Sequence, residues 1–157
     1  MFTMREFLED VLTMPYYKNY AAESGKVHNT AKHEEAVEDK LVKHHLREIS
    51  KEAYIAGGIG FVPQPKGTHQ NPDFWVRTPE KEHYDLECKS RKGATTAPMY
   101  NSGIPKPDMI YIFCCEKYDE TTIYYGRDVM SLEVKKMMEN HRAECRERDK
   151  QFNALLK

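Results

Sequence analysis

The chain predicts an α/β fold: a single domain with a central mixed β-sheet flanked by helices. Three observations point there. Apolar residues recur at helical spacing near the start of the chain, short β-like runs broken by Pro, Gly and Asn fill its middle, and a charged helical pattern ends it. The length of 157 residues suits one domain, with its core at about 30–130.

The elements follow in order. Residues 3–12 read as a short helix capped by Thr3, with Phe7, Leu8, Val11 and Leu12 as its apolar face. A turn at Pro15 and a Tyr-rich stretch to Tyr20 come next. A second helix is expected from Asn29 or Thr30 to Ala56, with Val37, Leu41, Leu46, Ile49 and Ala53 on one broad side and Gly57-Gly58 ending it. Strands are expected over 59–62, 73–76, 84–89, 109–115 and 121–125. Residues 128–156 return to helix, where Val134, Met138, Cys145, Phe152 and Leu155 form a stripe read as a core or dimer face.

Composition narrows the class of function. Lys and Arg number 24 against 25 Asp and Glu, for a net charge of -1, which argues against a simple polycation. No apolar run is long enough to span a membrane, and the charged first turns do not read as a signal peptide, so a cytoplasmic protein without a membrane partner is expected. Cys88, Cys114, Cys115 and Cys145 lack zinc-site spacing and read as small hydrophobes. The histidines show no His-x-x-x-His pair, and adjacent His44 and His45 read as packing residues.

The chemistry-bearing segments are Asn71-Pro72-Asp73-Phe74-Trp75-Val76 and Tyr84-Asp85-Leu86-Glu87-Cys88-Lys89. On a strand, Asp85, Glu87 and Lys89 share one face while Leu86 and Cys88 take the other. The thirteen residues between Asp73 and Glu87 suffice for a strand, a turn at Pro79-Glu80-Lys81-Glu82 and an antiparallel return. Such a hairpin sets Asp73 beside Glu87 at one sheet edge. Two adjacent carboxylates repel unless a hard cation joins them, and Mg²⁺ suits oxygen ligands and water. A lysine on the same face can orient an attacking water and stabilise charge at a phosphate. The alternative is a solvated hairpin with a surface ion pair.

The conjunction Pro72-Asp73 … Glu87-Cys88-Lys89 resembles the PD-(D/E)xK nuclease superfamily. The approach 64–74 and the segment 98–108 are similar to stretches of small type II restriction endonucleases. The resemblance covers roughly residues 30–130. It implies a restriction endonuclease-like fold, Asp73 and Glu87 as metal ligands, Lys89 as the catalytic amine, and Mg²⁺ (with Mn²⁺ as substitute) as cofactor. Family members often add an acid from the preceding helix. Glu34 is the first candidate because it lies three residues before Val37 and seven before Leu41, with Glu35 and Glu38 as competitors.

Residues 88–107 contain Lys89, Arg91, Lys92 and Lys106 and not one acid. Arg91, Lys92, Asn101, Ser102 and Lys106 are therefore candidate DNA contacts, with Lys66, Gln70 and Asn71 opposite them; a flexible polar loop is the plainer reading. The expected function is a type II restriction endonuclease hydrolysing double-stranded DNA. A homodimer would bring two sites to two strands, and a cognate DNA methyltransferase is the expected partner in the host. The alternatives are a structure-specific or repair nuclease of the same superfamily, Holliday junction resolvase-like, and a non-catalytic DNA- or protein-binding domain.

Overall fold

A computed structural model describes residues 1–16, 29–67, 71–100, 104–129 and 132–156. Thr3 opens the first helix, α1 (Met4–Leu12), by accepting a hydrogen bond from the Glu6 N–H. Phe7 and Val11 of α1 are fully buried. The second helix, α2 (Asn29–Lys43), buries His33, Val37 and Leu41, which recur every fourth residue along one line. Thr30 lies within α2, its side chain outside the described residues, as is the Tyr-rich stretch from Tyr17 to Tyr20.

The continuous helix expected to Ala56 is not formed. It ends at Lys43 because His45 takes a left-handed backbone (φ 70°), letting the Leu46 N–H reach Leu41 O and the His45 N–H reach Val42 O, both at 3.0 Å. This is a Schellman ending, with histidine at the position glycine usually fills and with Leu46 packed in the same core as Leu41. Residues 47–49 then run extended beside the first strand: the Phe61 N–H donates to Arg47 O, and the Ile49 N–H to Phe61 O. The approach is close, and a Cβ at Gly60 would lie 2.5 Å from Arg47 O. Ser50 caps a separate short helix, α3 (Lys51–Ile55), by accepting from the Ala53 N–H. Ala53 is exposed, and Gly57 (φ 98°) turns the chain out as the sequence predicts.

Five strands follow: β1 (Gly60–Pro63), β2 (Phe74–Arg77), β3 (His83–Arg91), β4 (Met109–Cys115) and β5 (Glu120–Tyr125). They lie in that order in one mixed sheet, antiparallel throughout except for the parallel pair β3–β4. A parallel neighbour requires a crossover, and residues 92–108 supply it. The acid-free stretch is therefore the end of β3 plus this connection. Helices α1 and α2 cover one face, where Phe61, Phe74, Val76, Leu86, Cys88, Ile110 and Ile112 form the core with Phe7, Val11, Val37 and Leu41. On the other face α3 lays Tyr54 against Trp75 and His83, its ring also under the Arg77 guanidinium.

Cys88, Cys114 and Cys115 are buried as expected, while Cys145 is half-buried. The chain ends in α4 (Gly126–Val129) and α5 (Leu132–Leu155). The α5 stripe is not part of the core. Val134, Met138, Phe152 and Leu155 keep between 37% and 84% of their surface exposed. Among the described residues no helix is long and apolar enough to cross a membrane.

Candidate active site

The β2–β3 hairpin places the two motif acids opposite each other. Phe74 pairs with Leu86 and Trp75 with Asp85; one residue further along this register, Asp73 faces Glu87. The Asp73 N–H donates to Leu86 O at 3.0 Å, continuing the ladder past the end of β2. The position differs from the expected sheet edge: β3 is the central strand, and the acids sit at the open end of the hairpin.

Asp73 and Glu87 are buried, 7% and 4% exposed. Asp73 Oδ2 accepts from the Cys88 N–H at 2.7 Å, and its carboxyl is within hydrogen-bonding reach of both Glu34 and Glu87. Glu34 Oε2 also accepts from Gln64 Nε2 at 3.0 Å. Of the three candidate acids on α2, the structure therefore brings Glu34 to the site. Glu35 is exposed and Glu38 half-buried.

Crowding carboxyls together out of water disfavours the ionisation of Glu34 and Glu87. Glu87 is pushed up to about 9, first by burial and then by the charge of Asp73, with Lys89 pulling the other way. Glu34 is raised to about 7 by burial and by Asp73. Glu87 Oε2 is buried with no hydrogen-bond partner. Lys89, half-buried, shares the face of Glu87 on β3. Burial pushes the Cys88 thiol well up, which leaves it an inert packing group.

Three site residues carry weak sequence signals. His33 is fully buried, donates Nε2–H to Ile112 O at 2.9 Å and feels the charge of Asp73, while burial lowers its affinity for a proton. Its spacing of four and eight residues from Val37 and Leu41 is the signal that marks it. Gln64, with a left-handed backbone (φ 49°), donates its N–H to Asp73 O and its amide to Glu34. Tyr111 pairs with Glu87 in the β3–β4 register, stacks on Tyr124 and accepts from the Lys106 N–H. Beyond it, a cavity of about 360 Å³ is walled by Tyr100, Phe113, Tyr118 and Tyr124.

The candidate DNA contacts are spread more widely. Arg91 ends β3, half-buried, and Lys92 follows it, exposed. Lys106 is exposed at the end of the crossover, Lys66 is exposed after β1, and Asn71 is half-buried before the cis peptide to Pro72. Asn101, Ser102 and Gln70 lie outside the described residues.

Among the described residues, no group of three or more His, Cys, Asp or Glu is set out as a ready-made cation cage. Glu34 and Glu87 instead crowd around Asp73, whose charge raises both of their pKa values. Their donor set still fits a hard cation: all are oxygen ligands, and Glu87 Oε2 has no other use. Magnesium commonly needs only one or two carboxylates, with waters completing its shell.

Comparison with known families, with characterised proteins and with solved structures returns no match to this chain.

Proposed function

We propose that this chain is a nuclease of the PD-(D/E)xK type with a restriction endonuclease-like fold, and that it hydrolyses phosphodiester bonds in double-stranded DNA as a type II restriction endonuclease. The observation that carries this reading is the union of Asp73, Glu87 and Glu34 at the end of one hairpin, with Lys89 on the same strand face as Glu87. A structural core has little reason to assemble three acids and so raise the pKa values of two of them, Glu34 and Glu87.

In this reading Asp73 and Glu87 hold Mg²⁺, with Mn²⁺ as substitute, and Glu34 completes the acidic wall. Bound there, the cation supplies Lewis acidity at the scissile phosphate and at a water. The Cys88 N–H fixes one Asp73 oxygen, and Gln64 fixes Glu34, so the acids are held in position. Lys89 orients the attacking water and balances the negative charge that builds on the phosphate. The crossover beginning at Lys92 carries the backbone contacts. A homodimer supplies a second site for the second strand.

The test is incubation of the purified protein with linear duplex DNA and with a four-way junction, each with Mg²⁺, followed by sequencing of the ends. Discrete duplex fragments with 5′-phosphates are expected. Lys89→Ala should lower the rate by about 10²-fold or more while leaving the melting temperature close to wild type. Preference for the junction would move the protein to the structure-specific nucleases. Absence of cleavage in every substrate, or a Lys89→Ala variant cutting at the wild-type rate, would overturn the assignment.

A further inference from the structure

Helix α5 is 24 residues long, about 36 Å at the usual rise. No extensive packing of α5 against another element occurs among the described residues, and apart from half-buried Cys145 its described side chains are exposed. A helix in this situation gains its stability from a partner more often than from intrinsic propensity.

The spacing along α5 says what kind of partner. Val134, Met138, His141, Cys145, Arg148, Phe152 and Leu155 alternate steps of four and three, the repeat of a two-stranded coiled coil. His141 Nε2 and Cys145 Sγ touch at 3.6 Å, so the polar part of this stripe is one continuous line. From these observations we infer that α5 pairs antiparallel with α5 of a second copy of this chain, setting Met138 against Leu155, His141 against Phe152 and Cys145 against Arg148 of the other copy.

Charge decides the direction and the register. A parallel pair would set Arg148 against Arg148 and His141 against His141 in the seam, and Glu144 against Asp149 beside it. In the antiparallel pair no polar seam residue meets its own copy. The stem of Arg148 lies along the seam with its guanidinium in water. At the flanks, Arg142 meets Asp149 of the other copy twice, and Glu144 meets Gln151 twice. Sliding the pair by one heptad toward Val134 would set Arg142 against Arg142. The surface is thus complementary to itself under a two-fold axis.

The pairing is independent of the nuclease reading, and its test needs neither DNA nor metal. The full-length protein should sediment as a dimer at tens of micromolar, and Phe152→Glu should weaken the dimer by about tenfold or more. Asp149→Arg should also weaken it, with the double variant Arg142→Asp/Asp149→Arg restoring it. Under mild oxidation, Arg148→Cys should form intermolecular disulfides with Cys145, whereas the wild type should form few. A monomeric wild type, or an unchanged dimer in Phe152→Glu, would overturn the inference. So would a dimer tightened by Asp149→Arg or cross-linked efficiently through Cys145 alone, since both are marks of the parallel pair.

Discussion

The two ends of α2 meet acids in opposite ways. At its C-terminal end, Lys40, Lys43 and His44 surround one carboxylate, Asp10 of α1, at 2.9, 3.0 and 2.8 Å. The Lys40 and His44 hydrogen bonds hold Asp10 well below the usual carboxylate range. At its N-terminal end, Glu34 joins Asp73 and Glu87, and the pKa values of both glutamates rise instead. One end ties α1 to α2 with neutralised charge. The other crowds carboxyls whose ionisation folding disfavours, the kind of perturbed cluster that marks a candidate site for a cation. Substitutions at the two ends of this helix should therefore pull stability in opposite directions.

The largest effect on stability is expected from Asp10→Asn. It removes the common partner of three cationic or hydrogen-bonding groups, two of them largely shielded from water. A loss of about 2 kcal/mol is expected, or roughly 4–8 °C in melting temperature at this chain length. Because the folded pKa is lowered, the contribution is full above the unfolded value near 3.8, shrinks as pH falls below it, and is lost only as pH passes down through the far lower folded value. Melting curves at pH 7 and pH 3 should therefore show a narrower gap between variant and wild type at pH 3 than at pH 7. An equal gap at both would place the effect in packing.

Glu87→Gln is expected to act in the other direction. The folded value of about 9 lies above the usual 4.5, so the stability that Glu87 contributes is full below pH 4.5 and is lost as pH rises toward 9. The glutamine variant should melt higher than wild type at pH 8 by about 2–4 °C, the equivalent of about 1 kcal/mol, and show no gain at pH 4. Mg²⁺ should raise the melting temperature of the wild type more than that of the variant. A variant less stable than wild type at pH 8 would mean that Glu87 is satisfied where it stands.

These contrasts also mark what a sequence can disclose. The hairpin was legible because Pro72, the turn residues after Thr78 and strand alternation are local signals, and together they set the register that opposes Asp73 to Glu87. Glu34 was legible only as one of three acids. Its contact with Gln64 depends on a left-handed backbone at residue 64, which no local pattern announces. The break in the second helix was hidden for a similar reason. Leu46, Ile49 and Ala53 continue the helical spacing, yet the ending rests on His45 adopting a conformation that glycine favours. Ser50, a good cap residue before Lys51 and Glu52, was the available clue. The α5 stripe was legible as a pattern but not as a place, because periodicity shows that a face must be covered and not by what.

The smallest predicted effect separates two lysines that hold the same aspartate. Lys40 and Lys43 reach Asp10 at nearly equal distances, but the Lys40 side chain is 24% exposed and that of Lys43 63%. Solvent screens the outer pair and leaves its long side chain free to move, so Lys43→Ala should cost less than about 0.5 kcal/mol. Lys40 lies where screening is weaker, and its hydrogen bond is the largest influence on Asp10. Lys40→Ala should therefore cost about 1 kcal/mol, and added salt should narrow the Lys43 deficit more than the Lys40 deficit. Denaturant melts of both variants at low and high salt measure this directly. Equal losses would mean that distance, and not exposure, sets the strength of the clamp between α1 and α2.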